Sequence, residues 1–396
     1  MSLLPSPSLT TTTTSIKSTS LQSDAYVLSL ASLPSHYAAA SSSPLNSIHL
    51  FDKSNFQKVA EFHAHDSTIT HMRSVQNMAG RGRETLISCG KDGVVKAWDE
   101  RSGTAALQMN ALTSGARRSL LSCDVSSDGL TVAGGTELQG DDASILYWDP
   151  RNPAAPLRAH TSTHSDDITA IHFLKLGSTT QGNIVLSASS DGLLCTSNAD
   201  EPDEDEAGLH VGNWGCSIAQ AGWVQSHTGS PSVWASSDME TFSLWSKELD
   251  LVRDVDIRQP SVHKQDLTWV TDYIIGCHNL SSIPDDMDSD LCLFAGSNEG
   301  DIALLTKVSF SAANSNSPWT LRRLWTSQHV GVVRALLWDE KNNVLVTGGE
   351  DSRINAWSSG ETLASNQNAI HSKRENSDAM DVDEDGNSPQ RKKRRS

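Results

Sequence analysis

Cysteine is scarce and unpaired along this chain: Cys89, Cys123, Cys195, Cys216, Cys277 and Cys292 fall among 396 residues with no Cys-x-x-Cys spacing. That pattern excludes a disulfide framework or a cysteine zinc site and reads as buried thiols in a reducing compartment. No apolar run approaches the roughly 18 residues of a membrane span, and the first residues lack the charged-then-apolar layout of a secretory signal. A Gly-rich phosphate loop, His-Glu-x-x-His and Cys/His ligand spacings are all missing, so no enzyme, cofactor or metal is expected. Positive charge is short too. Lys and Arg number 31 against 48 Asp and Glu, for a net charge of −17, which disfavours nucleic-acid or anionic-membrane binding by the folded part and leaves room for basic protein partners.

What is present is a repeated hairpin. Thr85 to Cys89 is half apolar, Asp92-Gly93 is a tight-turn signal, and Val94 to Trp98 alternates as a half-buried strand. Asp92 lies four residues after Ser88 and six before Trp98; Asp351 lies four after Thr347 and six before Trp357. Two copies in one register point to a repeat, and a period of roughly 40 to 50 residues points to a propeller.

At these residues the sequence resembles the WD-repeat family. The resemblance implies a hydrogen-bonded set of His, Ser/Thr, Asp and Trp within a blade, here His65, Ser88, Asp92 and Trp98, and again His329, Thr347, Asp351 and Trp357. His, Ser and Asp together suggest a catalytic triad, but blade geometry accounts for the spacing. Likewise His63, His65 and Asp66, or His160, His164, Asp166 and Asp167, could be drawn as metal clusters and are read instead as blade hydrogen-bonding groups.

The expected fold is all-β: a seven-bladed propeller over residues 21–364, preceded by a disordered Ser/Thr-rich stretch (1–20) and followed by a disordered tail (365–396). Blade one is expected from Tyr26 to Phe62, with Phe51-Asp52 in place of Trp-Asp. In blade three Asp142, six residues before Trp148, is a candidate turn Asp. Blade four keeps Ser187 and Asp191 but has Ser197 at the Trp position, and in blade five Trp245 is one residue off register. An open ring leaves a bare sheet edge, so a terminal strand must close it. Ser15 to Thr19 and Glu361 to Leu363 compete for that place.

Three features reach beyond the scaffold. Trp98-Asp99-Glu100-Arg101 and Trp148-Asp149-Pro150-Arg151 fit Trp-Asp-x-Arg, which in the family resembles the motif that docks substrate receptors on the adaptor of cullin-4 ubiquitin ligases, with Arg101 and Arg151 making contact. The ordinary reading is a local Asp–Arg pair. Acidic insertions at 200–206, with Asp203, Glu204, Asp205 and Glu206, and at 285–290, with Asp285 and Asp286, could capture a basic nuclear protein such as a histone or ribosomal protein; the default is a solvated loop. Lys373-Arg374 with Arg391, Lys392, Lys393, Arg394 and Arg395 resembles a bipartite signal for an import receptor, and Ser388-Pro389 a kinase site beside it. The whole resembles a fungal member of the WD repeat-containing protein 89 family. The expectation is a nuclear interaction scaffold, shuttling with the cytoplasm, monomeric within a larger complex.

Overall fold

A computed structural model of the protein describes residues 3–358, apart from 22–23, 100, 114, 176–182, 226–229, 260, 265–266, 281–290 and 308–317. The strands assemble into seven antiparallel sheets arranged as blades. Blade one is Val27–Ser32, His36–Ser41, Ser47–Asp52 and Lys58–His63; blade two is Ile69–Val75, Thr85–Gly90, Val94–Asp99 and Thr104–Asn110. Blades three, four and five begin with inner strands Leu120–Val125, Ile168–Phe173 and Ile218–Val224, and each adds three more strands in chain order. Alternation writes this pattern: second and third strands such as Thr85–Gly90 and Ile302–Lys307 are buried along their whole length, whereas outer strands such as Lys58–His63 and Gly208–Asn213 are largely exposed.

The ends of the chain differ from expectation. Residues 1–20 were expected to be disordered apart from a candidate closing strand at Ser15 to Thr19, yet Leu3–Thr12 also adds a fifth, parallel strand to the edge of Trp319–Trp325 in blade six. Lys17–Ser20 then pairs antiparallel with Arg353–Ser358 as the outer strand of blade seven. The physical reason is that Thr suits a pleated edge whatever the complexity of its surroundings, and two otherwise bare edges were on offer. Leu3 is buried in the core between blades five and six, and Arg323 Nε donates to Thr10 Oγ1 at 2.9 Å. The chain start thus supplies the closing strand; Glu361 to Leu363 lies outside the described residues, as does the tail. A hairpin, Ser261–Lys264 with Leu267–Val270, was also unforeseen, and blade six starts at Tyr273.

The apolar core lies between neighbouring blades. Ala31, Leu50, Met72 and Trp98 pack blade one on two; Cys89, Val95, Leu120 and Trp148 pack two on three; Ala356, Ile354, Tyr37 and Phe51 pack seven on one. Across that last seam Tyr37 Oη donates to Asp339 Oδ2 at 3.1 Å and Lys53 Nζ lies 2.9 Å from the same oxygen.

All seven inner strands share a device. Each shifts register near its start, after the first pair in six blades and after the second in blade six, skipping Leu28, Thr70, Leu121, Thr169, Ala219, Ile275 and Arg334. A bulge re-aims the extra residue, and all seven line the central channel, a cavity of about 740 Å³. Two of them also fasten blades together: Thr70 Oγ1 donates to Leu120 O at 2.7 Å and Thr169 Oγ1 to Ile218 O at 2.8 Å, with Ser29 Oγ reaching Met72 O at 3.1 Å from the neighbouring position in blade one.

Candidate functional site

The conspicuous His, Ser and Asp residues come together, but inside the walls. In blade two, Trp98 Nε1–H donates to Ser88 Oγ at 2.9 Å; Ser88 lies 2.7 Å from His65 Nε2, and His65 Nδ1 lies 3.0 Å from Asp92. One proton arrangement satisfies the relay: Ser88 donates to Nε2, and Nδ1–H donates to the carboxylate. Blade seven repeats it, with Trp357 Nε1 to Thr347 Oγ1 at 2.9 Å, Thr347 to His329 Nε2 at 2.8 Å and His329 Nδ1 to Asp351 at 3.1 Å. Blade four holds a third set lacking the Trp: His164 Nε2 to Ser187 at 2.8 Å and Nδ1 to Asp191 at 3.2 Å. His164 was read from the sequence as a blade hydrogen-bonding group without being joined to Ser187 and Asp191, although its spacings to them, 23 and 27, equal those of His65 to Ser88 and Asp92; the missing Trp hid the set.

These sets resemble a hydrolase triad in connectivity only. Ser88 and His65 are both 0% exposed, and the indole N–H already occupies the hydroxyl that would have to attack, so no substrate can reach it. Among the described residues no three His, Cys, Asp or Glu side chains are placed to hold a metal ion; His160 instead packs edge-on against Tyr147. Burial opposes ionisation of Asp92 and Asp351, but the bonds from His65 and His329 outweigh it and hold both carboxyls below the usual range.

The remaining expectations fare differently. Asp142 is exposed and its carboxylate is not a turn acceptor: Ala116 stands four residues before the inner strand, where blades two, four and seven have His, and Arg118 donates from Nη2 to the Asp142 carbonyl at 2.9 Å. The run at 200–206 is not a free loop. Asp203 caps a short helix, Glu204–Ala207, and Glu204 accepts from Thr161 N and Ser162 N, both at 2.8 Å, and from Thr163 Oγ1 at 2.7 Å. Of that run Asp205 and Glu206 remain exposed, with Asp203 at the cap. Asp285 and Asp286 lie outside the described residues, as do Lys373, Arg374, Arg391, Lys392, Lys393, Arg394 and Arg395. Arg151 closes on its own motif, Nε to Asp149 Oδ1 at 2.9 Å and Nη2 to Oδ2 at 2.7 Å. Arg258 does the same with Asp256, at 3.1 Å and 3.2 Å, without a preceding Trp. The Asp-x-Arg clasp is therefore a general turn closure in this ring. Arg101 is exposed, and among the described residues its guanidinium has no carboxylate partner; only its backbone N–H reaches Asp99, at 3.2 Å.

Because the inner strands all run one way, their starts, the crossovers between blades and the turns joining second to third strands share one end of the ring, the entry end. Two basic side chains there are paired, Lys91 with Glu137 at 2.6 Å and Arg334 Nε with Glu350 at 2.6 Å, while Arg117 is exposed beside the Asp92-Gly93 turn. Asp66, Asp166, Asp238 and Glu299 have no Lys or Arg partner among the described residues, and Asp66 is 87% exposed at its side chain. Between these carboxylates stand two exposed apolar side chains, Val330 at 71% and Met239 at 62%.

At the exit half of the channel His71 and His172 face each other edge-on, with ring centroids 6.4 Å apart. Burial and the adjacent Arg73 push His172 down to about 3 and His71 to about 4, from an ordinary 6.5. Between pH 6.5 and about 4 the unfolded chain therefore binds protons that the folded chain refuses, so stability falls as pH falls through that window. Urea midpoints at pH 7 and pH 5 will show the loss, and His172→Gln will flatten it.

Two stretches, 56–99 and 320–358, match the WD domain, G-beta repeat family. The chain is 25% identical over 341 residues to the WD repeat-containing protein 89 homolog of Dictyostelium discoideum, covering 85% of this chain and 84% of that one. It is 28% identical over 336 residues to WD repeat-containing protein GTS1 of Arabidopsis thaliana, covering 82% and 79%. Among solved structures the computationally designed Ika8 protein superposes with a TM-score of 0.59 at 18% identity, over 86% of this chain and 98% of that one.

Proposed function

Because the chain carries WD40 repeats on a closed seven-bladed propeller, we propose that it is a protein-interaction scaffold whose acidic entry end holds a basic segment of a partner protein. The observation that carries this reading is the set of carboxylates at that end without a Lys or Arg partner among the described residues, Asp66, Asp166, Asp238 and Glu299, on the same end as exposed Val330 and Met239. Unpaired charge on a rigid rim raises encounter rate, while apolar side chains supply the contact area that slows release. A histone or ribosomal protein has the required charge. The basic tail run from Arg391 to Arg395 supports a nuclear setting, through an import receptor. Under this reading capture is at the entry end rather than on the 200–206 run, whose Glu204 is committed to backbone N–H groups.

The test compares tagged wild type with a variant carrying Asp66→Asn, Asp166→Asn, Asp238→Asn and Glu299→Gln, each purified from nuclear extract and washed at rising salt. Basic proteins should leave the variant at lower salt than the wild type. Equal elution sinks the proposal.

A second reading, docking on the cullin-4 adaptor as a substrate receptor, is favoured by one observation, the carboxylate-free guanidinium of Arg101. Under it Arg101→Glu, unlike Arg151→Glu, abolishes co-purification of the adaptor.

A further inference from the structure

We propose that the exit half of the central channel binds a small multivalent oxyanion of the pyrophosphate class. The chain carries a net charge of −17, yet the channel is lined by three basic side chains, Arg73, Lys175 and Arg334, and by no Asp or Glu among its described lining residues. Arg334 sits at the entry and is paired with Glu350. The other two converge at the exit.

One carboxylate arranges them from behind the wall. Asp124 is 0% exposed and accepts from Val125 N at 2.7 Å and Phe173 N at 2.8 Å. Its oxygens also lie 3.1 Å from Arg73 Nη1 and 3.3 Å from Lys175 Nζ. Two cations thus share a single negative charge already engaged by two backbone N–H groups, and the surplus faces the cavity. Arg73 Nη1 also donates to His172 Nδ1 at 2.9 Å, which leaves the neutral ring with its hydrogen on Nε2. That hydrogen, together with Arg73 Nε and Nη2, has no partner among the described residues. Donors held by a buried carboxylate, in a cavity of about 740 Å³ bounded by protein on its sides, make a preorganised anion site, because Arg presents paired hydrogens in the geometry of a phosphate edge and the low-dielectric wall strengthens the attraction.

The site lies at the opposite end from the acidic face and does not depend on it. The test is calorimetric titration of the full chain with sodium pyrophosphate at fixed ionic strength, with sodium acetate as the monovalent comparison. Saturable one-to-one binding of pyrophosphate is expected, together with a loss of about tenfold or more in affinity for both Arg73→Gln and Lys175→Gln. Arg73→Gln strips Asp124 of a partner and can weaken the fold. Lys175, 39% exposed at its side chain, makes the longer of the two contacts to Asp124 and is the milder substitution; a melt of its variant beside each titration separates lost binding from lost fold. The entry-end carboxylate variant should bind pyrophosphate unchanged, so the two readings fail separately. A wild type without saturable binding, or a Lys175→Gln protein that binds as tightly as wild type, overturns the site.

Discussion

Deleting residues 1–20 will leave a chain that aggregates or melts without a cooperative transition. The deletion removes Lys17–Ser20, the outer strand of blade seven, and Leu3–Thr12, the fifth strand of blade six. It bares the edges of Arg353–Ser358 and Trp319–Trp325 together, and a bare edge is a template for pairing with another chain. It also withdraws Leu3 from the core it shares with Trp319 and Leu324. With about 1 kcal/mol for each ladder hydrogen bond lost and about 2 kcal/mol for a buried Leu, the cost is on the order of several kcal/mol, comparable to the whole stability of an ordinary domain. Deleting only 1–12 spares the closing strand and should lower the melting temperature while keeping the transition cooperative. Size-exclusion profiles and melts of both truncations check this. A 21–396 chain that runs as a monomer with a wild-type melt would show that neither strand holds the ring shut.

Trp98→Ala should cost about 3 to 5 kcal/mol, measurable as a shift in the urea midpoint. Trp98 is 5% exposed, sits 4.9 Å from the Phe62 ring and gives its indole N–H to Ser88. Two losses are combined in that figure, a cavity between blades one and two and a broken relay, and Trp98→Phe separates them. Phe keeps most of the ring volume and loses only the hydrogen bond, so it should cost about 1 kcal/mol. Blade four supports this division: Ser197 stands where the Trp would be, and the His164, Ser187 and Asp191 relay forms regardless. An alanine variant as stable as wild type would mean that the relay and its indole contribute nothing to blade two.

The two most regular blades were legible because their signals are local. Asp92 followed by Gly93 dictates a tight turn, and the alternation on either side dictates two strands; the distances from Ser88 to Asp92 and Trp98 then follow from the pleat, as they do from Thr347 to Asp351 and Trp357. Blade one was legible despite its degenerate motif, since Tyr37 to Ser41 and Ser47 to Phe51 are apolar runs separated by a turn. Where a substitution replaced a signal residue, the reading weakened in proportion: Ser197 concealed the third relay, and Ala116, where the other regular blades have His, leaves Asp142 without the imidazole its expected role requires. The acidic run misled for a different reason. Composition counts Glu204 as solvated charge, whereas its carboxylate caps the backbone of the crossover from blade three to blade four.

The sequence by itself determined that the chain is a repeated four-stranded β unit, because turn chemistry and alternation act within a few residues and need no partner. Tertiary structure alone decided three things: that Leu3–Thr12 becomes a strand and the chain start supplies the closing one, that the bulged residue of every inner strand turns into the channel, and that the channel of an acidic protein is lined by Arg73, Lys175 and Arg334 without a carboxylate among the described residues. Each depends on closing the ring. Closure creates the edges that recruit the chain start and the curvature that a bulge relieves, and it brings together side chains from blades dozens of residues apart, which no periodicity in the sequence records.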